Sequence, residues 1–380
     1  MFGQAIGATS SLNNFMNHSI DLSEELKKDL LRLLDLDFIR EFLDSRLGQY
    51  YPDFKQISDI QMEPHKKHLG ASSAVFVLHY RLNYISQEQG SKILEIFVSA
   101  HSDGSRQGAY RKNKYLYEHG FGSGPLRVTR PLFYLDRSRA YFYQASRGRR
   151  LFSFFTENPQ ADLRPVLALV AAWLKKLHTL NPGSGSFPWP VFSIAKMIPE
   201  PPHFIADFCQ QDKELGELAQ KIYDQMLSLE RSHSVRLKRT LIYGDNHPEN
   251  VIIENLATDH LEMIDFTDVA LGDPMLDLGT FLQQFDFMSH HFISRQQIDS
   301  YKAGLLESYF GRETEINVDY FSRINLYQAW TALRSAAFIF YMKEAENSLL
   351  DLLQESQRYL EMSENKQNSI NLGQNARLGS

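Results

Sequence analysis

The chain has 380 residues, 43% of them hydrophobic, which suffices for one large core or two lobes. Its net charge of −6 gives no basic footprint for a nucleic-acid partner, and a lone cysteine, Cys209, excludes both a disulfide framework and a cysteine-based metal centre. No apolar run approaches a membrane span and residues 1–20 lack the basic-then-apolar pattern of a secretory signal, so a cytoplasmic protein with no membrane partner is expected.

Residues 1–20 carry no periodic pattern and are expected to be flexible. From Asp21 the pattern turns helical: Asp21 and Glu24 form a capping-box-like pair, and Leu22, Leu26, Leu30, Leu33 and Leu34 keep helical spacing. A second such stretch carries Phe38, Ile39, Phe42, Leu43 and Leu47 and stops at Gly48 and Pro52. Between Phe54 and Ala100 the signal is β, clearest in AVFVLHYRLNY (Ala74 to Tyr84) and ILEIFVSA (Ile93 to Ala100). The turn before the first run, Gly70 to Ser73, offers backbone amides and the Ser72 and Ser73 hydroxyls to a phosphate, with Lys66, Lys67 and His68 adjacent. A plain hairpin needs a turn there as well. A helix is expected over about Gly108 to His119, then a strand within Arg139 to Leu151 that ends in a flexible connector. Asp162 to Leu180 is the clearest helix, with His178 at its end and Asn181-Pro182-Gly183 terminating it. Another is expected over roughly Ile205 to Leu229, and the chain beyond Asp277 is helical almost throughout until a polar tail, 363–380, expected to be disordered.

The informative stretch is Leu241 to Phe285. LIYGD is apolar up to a carboxylate, VII follows Asn250 as a β-branched strand, and LEMID is a second strand ending in Asp265. A hairpin of those strands would bring Asp245 and Asn250 to face Asp265, an all-oxygen cluster suited to a hard cation such as magnesium. An aspartate, four intervening residues and an asparagine, followed by Asp-Phe, is also the protein-kinase order of base and metal ligands. Asp245, Asn250 and Asp265-Phe266 have it. Any single aspartate here, such as Asp273 before Pro274, is equally well an ordinary turn starter; the ordered set is not.

YGDNHPEN, then IDF, then GDPMLDLG, resembles the aminoglycoside phosphotransferase and choline kinase group, whose usual pattern is HGDxHxxN, IDF or IDW, then GDPxxDL. Tyr243 stands where the first histidine of that pattern usually sits. The resemblance implies an α+β, two-lobed protein-kinase-like fold. Residues 21–145 would form an N-lobe, a helical extension plus an antiparallel nucleotide-binding sheet, and residues 146–362 a mostly helical C-lobe holding the catalytic loop and acceptor pocket. It implies transfer of the terminal phosphoryl group of ATP or GTP to a hydroxyl of a small molecule. Asp245 would be the catalytic base, Asn250 and Asp265 the magnesium ligands, and Tyr143, Gln144 and Ala145 the hinge that holds the base. Asp277, Asp273 and His178 would brace the catalytic loop. Acceptor and oligomeric state are left open.

One departure bears on activity. The kinase scheme places a lysine on the third strand and pairs it with a helix glutamate. Matching ILEIF to that strand puts Glu95 at the lysine position, and the following helix has no acid before Glu118. Another cation would then serve the phosphates, with Lys66, Lys67, Lys92 and Arg111 as candidates. Alternatively the protein is a pseudokinase that binds nucleotide as a regulator, or a nucleotidyltransferase that holds the nucleotide in another orientation.

Overall fold

The structure is a computed structural model and describes residues 21–364 apart from 89, 184–186, 235–236, 312–316 and 343–345. The N-terminal stretch 1–20 and the tail beyond 364 lie outside the described residues.

Alternation of side chains builds the N-terminal part. Strands β1 (Phe54–Leu69), β2 (Ala74–Ser86) and β3 (Ser91–His101) form an antiparallel meander. After a short β4 (Leu126–Val128), β5 (Pro131–Leu135) and β6 (Ala140–Gln144) extend it to five strands in the order β1-β2-β3-β6-β5. Successive side chains of a strand point to opposite faces. Leu78, Tyr80 and Leu82 of β2 and Leu94, Ile96 and Val98 of β3 therefore share one face, where they are buried with Leu30, Leu33, Ile39 and Leu43. Those last residues come from α1 (Glu24–Leu31), α2 (Leu36–Asp44) and the turn between them. Ser23, rather than Asp21, caps α1, its hydroxyl accepting from the Leu26 amide at 3.2 Å. Register shifts between Phe54 and Gln56, Ile57 and Asp59, and Pro64 and Lys66 interrupt the regular alternation of β1, which falls where the β signal was expected to begin. Helix α3 (Ser105–Leu116) follows β3.

The described residues up to Arg147, together with Glu262–Thr267, form one compact unit; Gly148–Leu261 and the residues from Asp268 form the other. Asp265 thus belongs by its contacts to the β-rich unit, within a six-residue segment flanked in sequence by residues of the helical one. The helical unit holds α4 (Leu151–Glu157), α5 (Arg164–Thr179), α6 (Pro201–Gln211) and α7 (Lys213–Ser234). The last two replace the single helix expected there: Asp212 breaks the run and its carboxylate caps the second helix through the Glu214 amide at 2.8 Å. Short strands pair within this unit, β7 (Arg149–Arg150) with β9 (Val251–Ile253) and β8 (Thr240–Ile242) with β11 (Ala270–Gly272). Between them in sequence, β10 (Leu261–Met263) reaches the boundary between the units. Helices α8 (Met275–Ser289), α9 (Arg295–Phe310), α10 (Val318–Met342) and α11 (Glu346–Glu364) complete it. Ser363 and Glu364, expected in the tail, instead end α11, and Ser363 accepts a backbone bond from the Ser322 hydroxyl at 2.7 Å. No described helix is long and apolar enough to cross a membrane.

Candidate active site

In the helical unit the site is assembled on the loop after β8. Gly244 takes φ +84°, and a Cβ there would lie 2.6 Å from the Asp268 carbonyl oxygen, so the turn that presents Asp245 accepts only glycine without strain. Asp277, in the first turn of α8 and fully buried, accepts the amides of Tyr243 and Gly244, each at 2.7 Å. His178 donates to the same carboxylate from Nε2 at 2.9 Å, and its Nδ1 is hydrogen-bonded with the Tyr309 hydroxyl at 2.7 Å. Tyr243 is itself buried, with its ring edge-on to Trp173 at 5.6 Å.

Asp245 follows, only 13% of its side chain exposed. Asn250 donates to the Asp245 carbonyl oxygen at 3.0 Å, and His247 lies 3.5 Å from Asp245 Oδ2. Arg334, from the middle of α10, places Nη1 3.3 Å from Asp245 Oδ1 and Nη2 3.4 Å from Asp268 Oδ2. Burial alone would raise the Asp245 carboxyl, but the Arg334 guanidinium and His247 outweigh it and lower the group to about 2. The group is therefore ionised at neutral pH. Asp273 is buried, accepting from the Met275 amide at 3.0 Å and from Arg323 at 2.7 Å. Asp286, on α8, is paired with Arg295 at 2.8 Å and Lys302 at 2.9 Å.

The remaining site candidates lie in the β-rich unit. Asp265 adopts φ +55°, rare for a residue with a side chain. Its Oδ1 accepts from the Thr267 hydroxyl at 2.6 Å and lies 3.5 Å from Arg106 Nη1. In the turn before β2, the Gly70 amide donates to the Ser73 carbonyl at 2.8 Å, and Ser73 Oγ lies 3.3 Å from His68 Nε2, with Ser72 between them half-buried. At the hinge, the Gln144 amide donates to Arg130 at 2.9 Å and the Ala145 amide to Glu95 at 2.8 Å, so both donors are taken. The Gln144 carbonyl accepts from Thr129 Oγ1 at 2.7 Å and keeps a second lone pair. Tyr143, Phe97 and His79 stack in series, with ring centroids 5.8 and 4.6 Å apart.

Sequence reading missed three polar residues. His247 was visible inside the motif. Arg334 and Arg106 carried weaker signals: Arg106 is a cation in the first turn of a helix, where the helix dipole disfavours it, and that turn has no acid.

Residues 79–315 match the model of the phosphotransferase enzyme family. No curated protein sequence matches the chain significantly. Among solved structures, the Plasmodium vivax ethanolamine kinase superposes with a TM-score of 0.52 at 11% identity, covering 92% of this chain and 96% of that one. An aminoglycoside-3'-phosphotransferase of type VIII gives 0.51 at 18% identity over 83% and 100% of the two chains. The complex of APH(2'')-IIa with streptomycin and ATP gives 0.51 at 15% identity over 86% and 97%. At such identities the likeness establishes the protein-kinase-like fold, and the family match covers more than half of the chain. The protein belongs to the phosphotransferase enzyme family.

Proposed function

We propose that the chain transfers the terminal phosphoryl group of ATP or GTP to a hydroxyl of a small acceptor. The observation that carries this reading is the catalytic-loop geometry. A buried carboxylate on α8, Asp277, takes both amides that precede Asp245, and Asn250 bonds the Asp245 carbonyl, so the backbone that presents Asp245 is held by three hydrogen bonds while Arg334 and His247 flank its carboxylate. Nothing in a purely structural loop requires an aspartate presented on a left-handed glycine turn beside an arginine.

In this reading Asp245 accepts a hydrogen bond from the acceptor hydroxyl and orients it. Because its carboxyl sits near 2, the proton moves to it only after most of the bond to phosphorus has formed. Asn250 and Asp265 fit a hard cation. The hydrogen bonds of Asn250 run through Nδ2, which leaves its amide oxygen, and the contacts of Asp265 run through Oδ1, which leaves Oδ2. Each would offer that oxygen as a magnesium ligand, and magnesium neutralises phosphate charge when bound. The Gly70–Ser73 turn and the Tyr143–Ala145 segment would hold the nucleotide, with the base received by carbonyl oxygens there because the Gln144 and Ala145 amides are occupied.

The test is transfer itself. Full-length protein with ATP or GTP, magnesium and a panel of small alcohols is expected to give one product heavier by about 80 Da, the mass of a phosphoryl unit. Asp245→Asn is expected to abolish it while nucleotide still binds. A gain of about 329 Da would establish nucleotidyl transfer instead, and nucleotide binding with no product from any acceptor would favour a regulatory protein.

A further inference from the structure

The missing strand lysine leaves the phosphates without an assigned cation. On the face of β3 turned away from the core stand Glu95, Phe97, Ser99 and His101, none of them cationic at neutral pH, and Glu95 lies 4.0 Å from His79 instead. Burial, with Arg106 and then Lys66 nearby, holds the His101 imidazole neutral. Among the expected candidates, Lys92 is bound to Asp53 at 2.6 Å, and Lys67 and Arg111 are exposed.

Arg106 differs from all of these. It is 6% exposed, although an arginine is rarely buried without full pairing. Its Nε has no hydrogen-bond partner among the described residues. Its ion pair with Asp265 is loose, 3.5 Å from Nη1 to Oδ1, where a guanidinium can close a two-pronged fork at hydrogen-bond distance. It sits in the first turn of α3 with no acid on that turn, against the helix dipole. A buried, under-bonded guanidinium beside a carboxylate in a strained left-handed conformation is arranged for an anion.

Resting on the phosphoryl-transfer reading above, we propose that Arg106 is the phosphate-binding cation, engaging nucleotide phosphate oxygens from helix α3 where related kinases use a strand lysine. Asp265 then acts also as a positioning partner, holding the guanidinium until the nucleotide arrives. An arginine suits this place better than a lysine, because its planar fork matches two phosphate oxygens at once and it cannot lose its charge when buried.

The experiment is a calorimetric ladder on the full chain, titrating adenosine, AMP, ADP and ATP with and without magnesium. Arg106→Gln is expected to weaken ATP and ADP by roughly 10- to 100-fold, the range for losing a charge-assisted pair, while adenosine binds as to wild type. Lys92→Gln is expected to match wild type throughout. Thermal melting without ligand shows whether the glutamine variant folds. If it does not, Arg106→Lys carries the test, since it keeps the charge and loses the fork: ATP should weaken at least about threefold relative to adenosine. Equal losses for adenosine and ATP would mark Arg106 as structural, and unchanged ATP binding would mark it as idle. Either result overturns the proposal while leaving the phosphoryl-transfer reading in place. Failure of wild type to bind any nucleotide would overturn both.

Discussion

Replacing Asp277 should show how much of the Tyr243–Asn250 loop depends on one buried carboxylate. Asp277→Ala removes the acceptor for two amides at 2.7 Å and for His178 at 2.9 Å, and the site is fully buried, so water cannot replace it. A hydrogen bond to a charged group contributes about 1.5–3 kcal/mol, so the two amides alone correspond to a loss of about 3–6 kcal/mol before relaxation. Asp277→Asn keeps one acceptor oxygen and sets an NH2 group against the other amide, which should cost about half as much. Urea unfolding followed by tryptophan fluorescence suits the measurement, because Trp173 is buried against Tyr243 and reports on this loop directly. The alanine variant should lose the larger part of its stability, and turnover should fall even where it remains folded, since Gly244 and Asp245 lose their tether. A loss below about 1 kcal/mol in the alanine variant would refute the reasoning, because it would place the carboxylate outside any desolvated network.

Three further predictions concern neighbouring groups. Gly244→Ala should destabilise the protein by about 2–4 kcal/mol, combining the left-handed penalty with a Cβ 2.6 Å from the Asp268 carbonyl, and should lower turnover more than nucleotide affinity. Arg323→Met leaves the buried Asp273 carboxylate without the partner it now has at 2.7 Å, so a loss of about 3–5 kcal/mol is expected in the same unfolding assay, and Asp273→Asn should partly restore stability in the double variant. For Asp245 the folded group is lowered to about 2, below its unfolded value, so its contribution to stability is present above about pH 4 and lost as pH falls toward 2. Arg334→Met removes the larger of the influences that lower it and leaves burial to dominate, so an acid limb in kcat/KM should appear above pH 4, where wild type has none from this group.

Much of the helical unit's site was legible because its parts are close in sequence or fixed by local rules. Asp245 and Asn250 fall within six residues of one turn, and Asp277 follows a Gly-Asp-Pro turn that starts a helix. Glycine at 244 is dictated by a backbone angle that a motif records faithfully. Contacts that the chain makes only on folding left weaker traces. Arg334 reaches Asp245 across 89 residues from the middle of a helix whose buried face looks like core packing. Arg106 meets Asp265 because Glu262–Thr267 joins the β-rich unit, which no local pattern encodes. Matching ILEIF to a family strand drew attention to Glu95, whereas strand alternation shows that the outward face of β3 offers no strong cation at any register. The β signal was expected from Phe54 onward, and β1 was less clear than β2 and β3 because its register shifts break the period by which strands are recognised.

Asp245 is proposed to direct phosphoryl transfer to a small hydroxyl acceptor. The most direct test incubates full-length protein with magnesium, ATP labelled in its terminal phosphoryl group and a mixture of small alcohols, amino alcohols and sugars, and identifies labelled products by mass. A labelled product heavier than its acceptor by about 80 Da is expected from wild type and is expected to be absent with Asp245→Asn. Product formed equally by Asp245→Asn, or label that stays on the nucleotide while the acceptor gains about 329 Da, would contradict it.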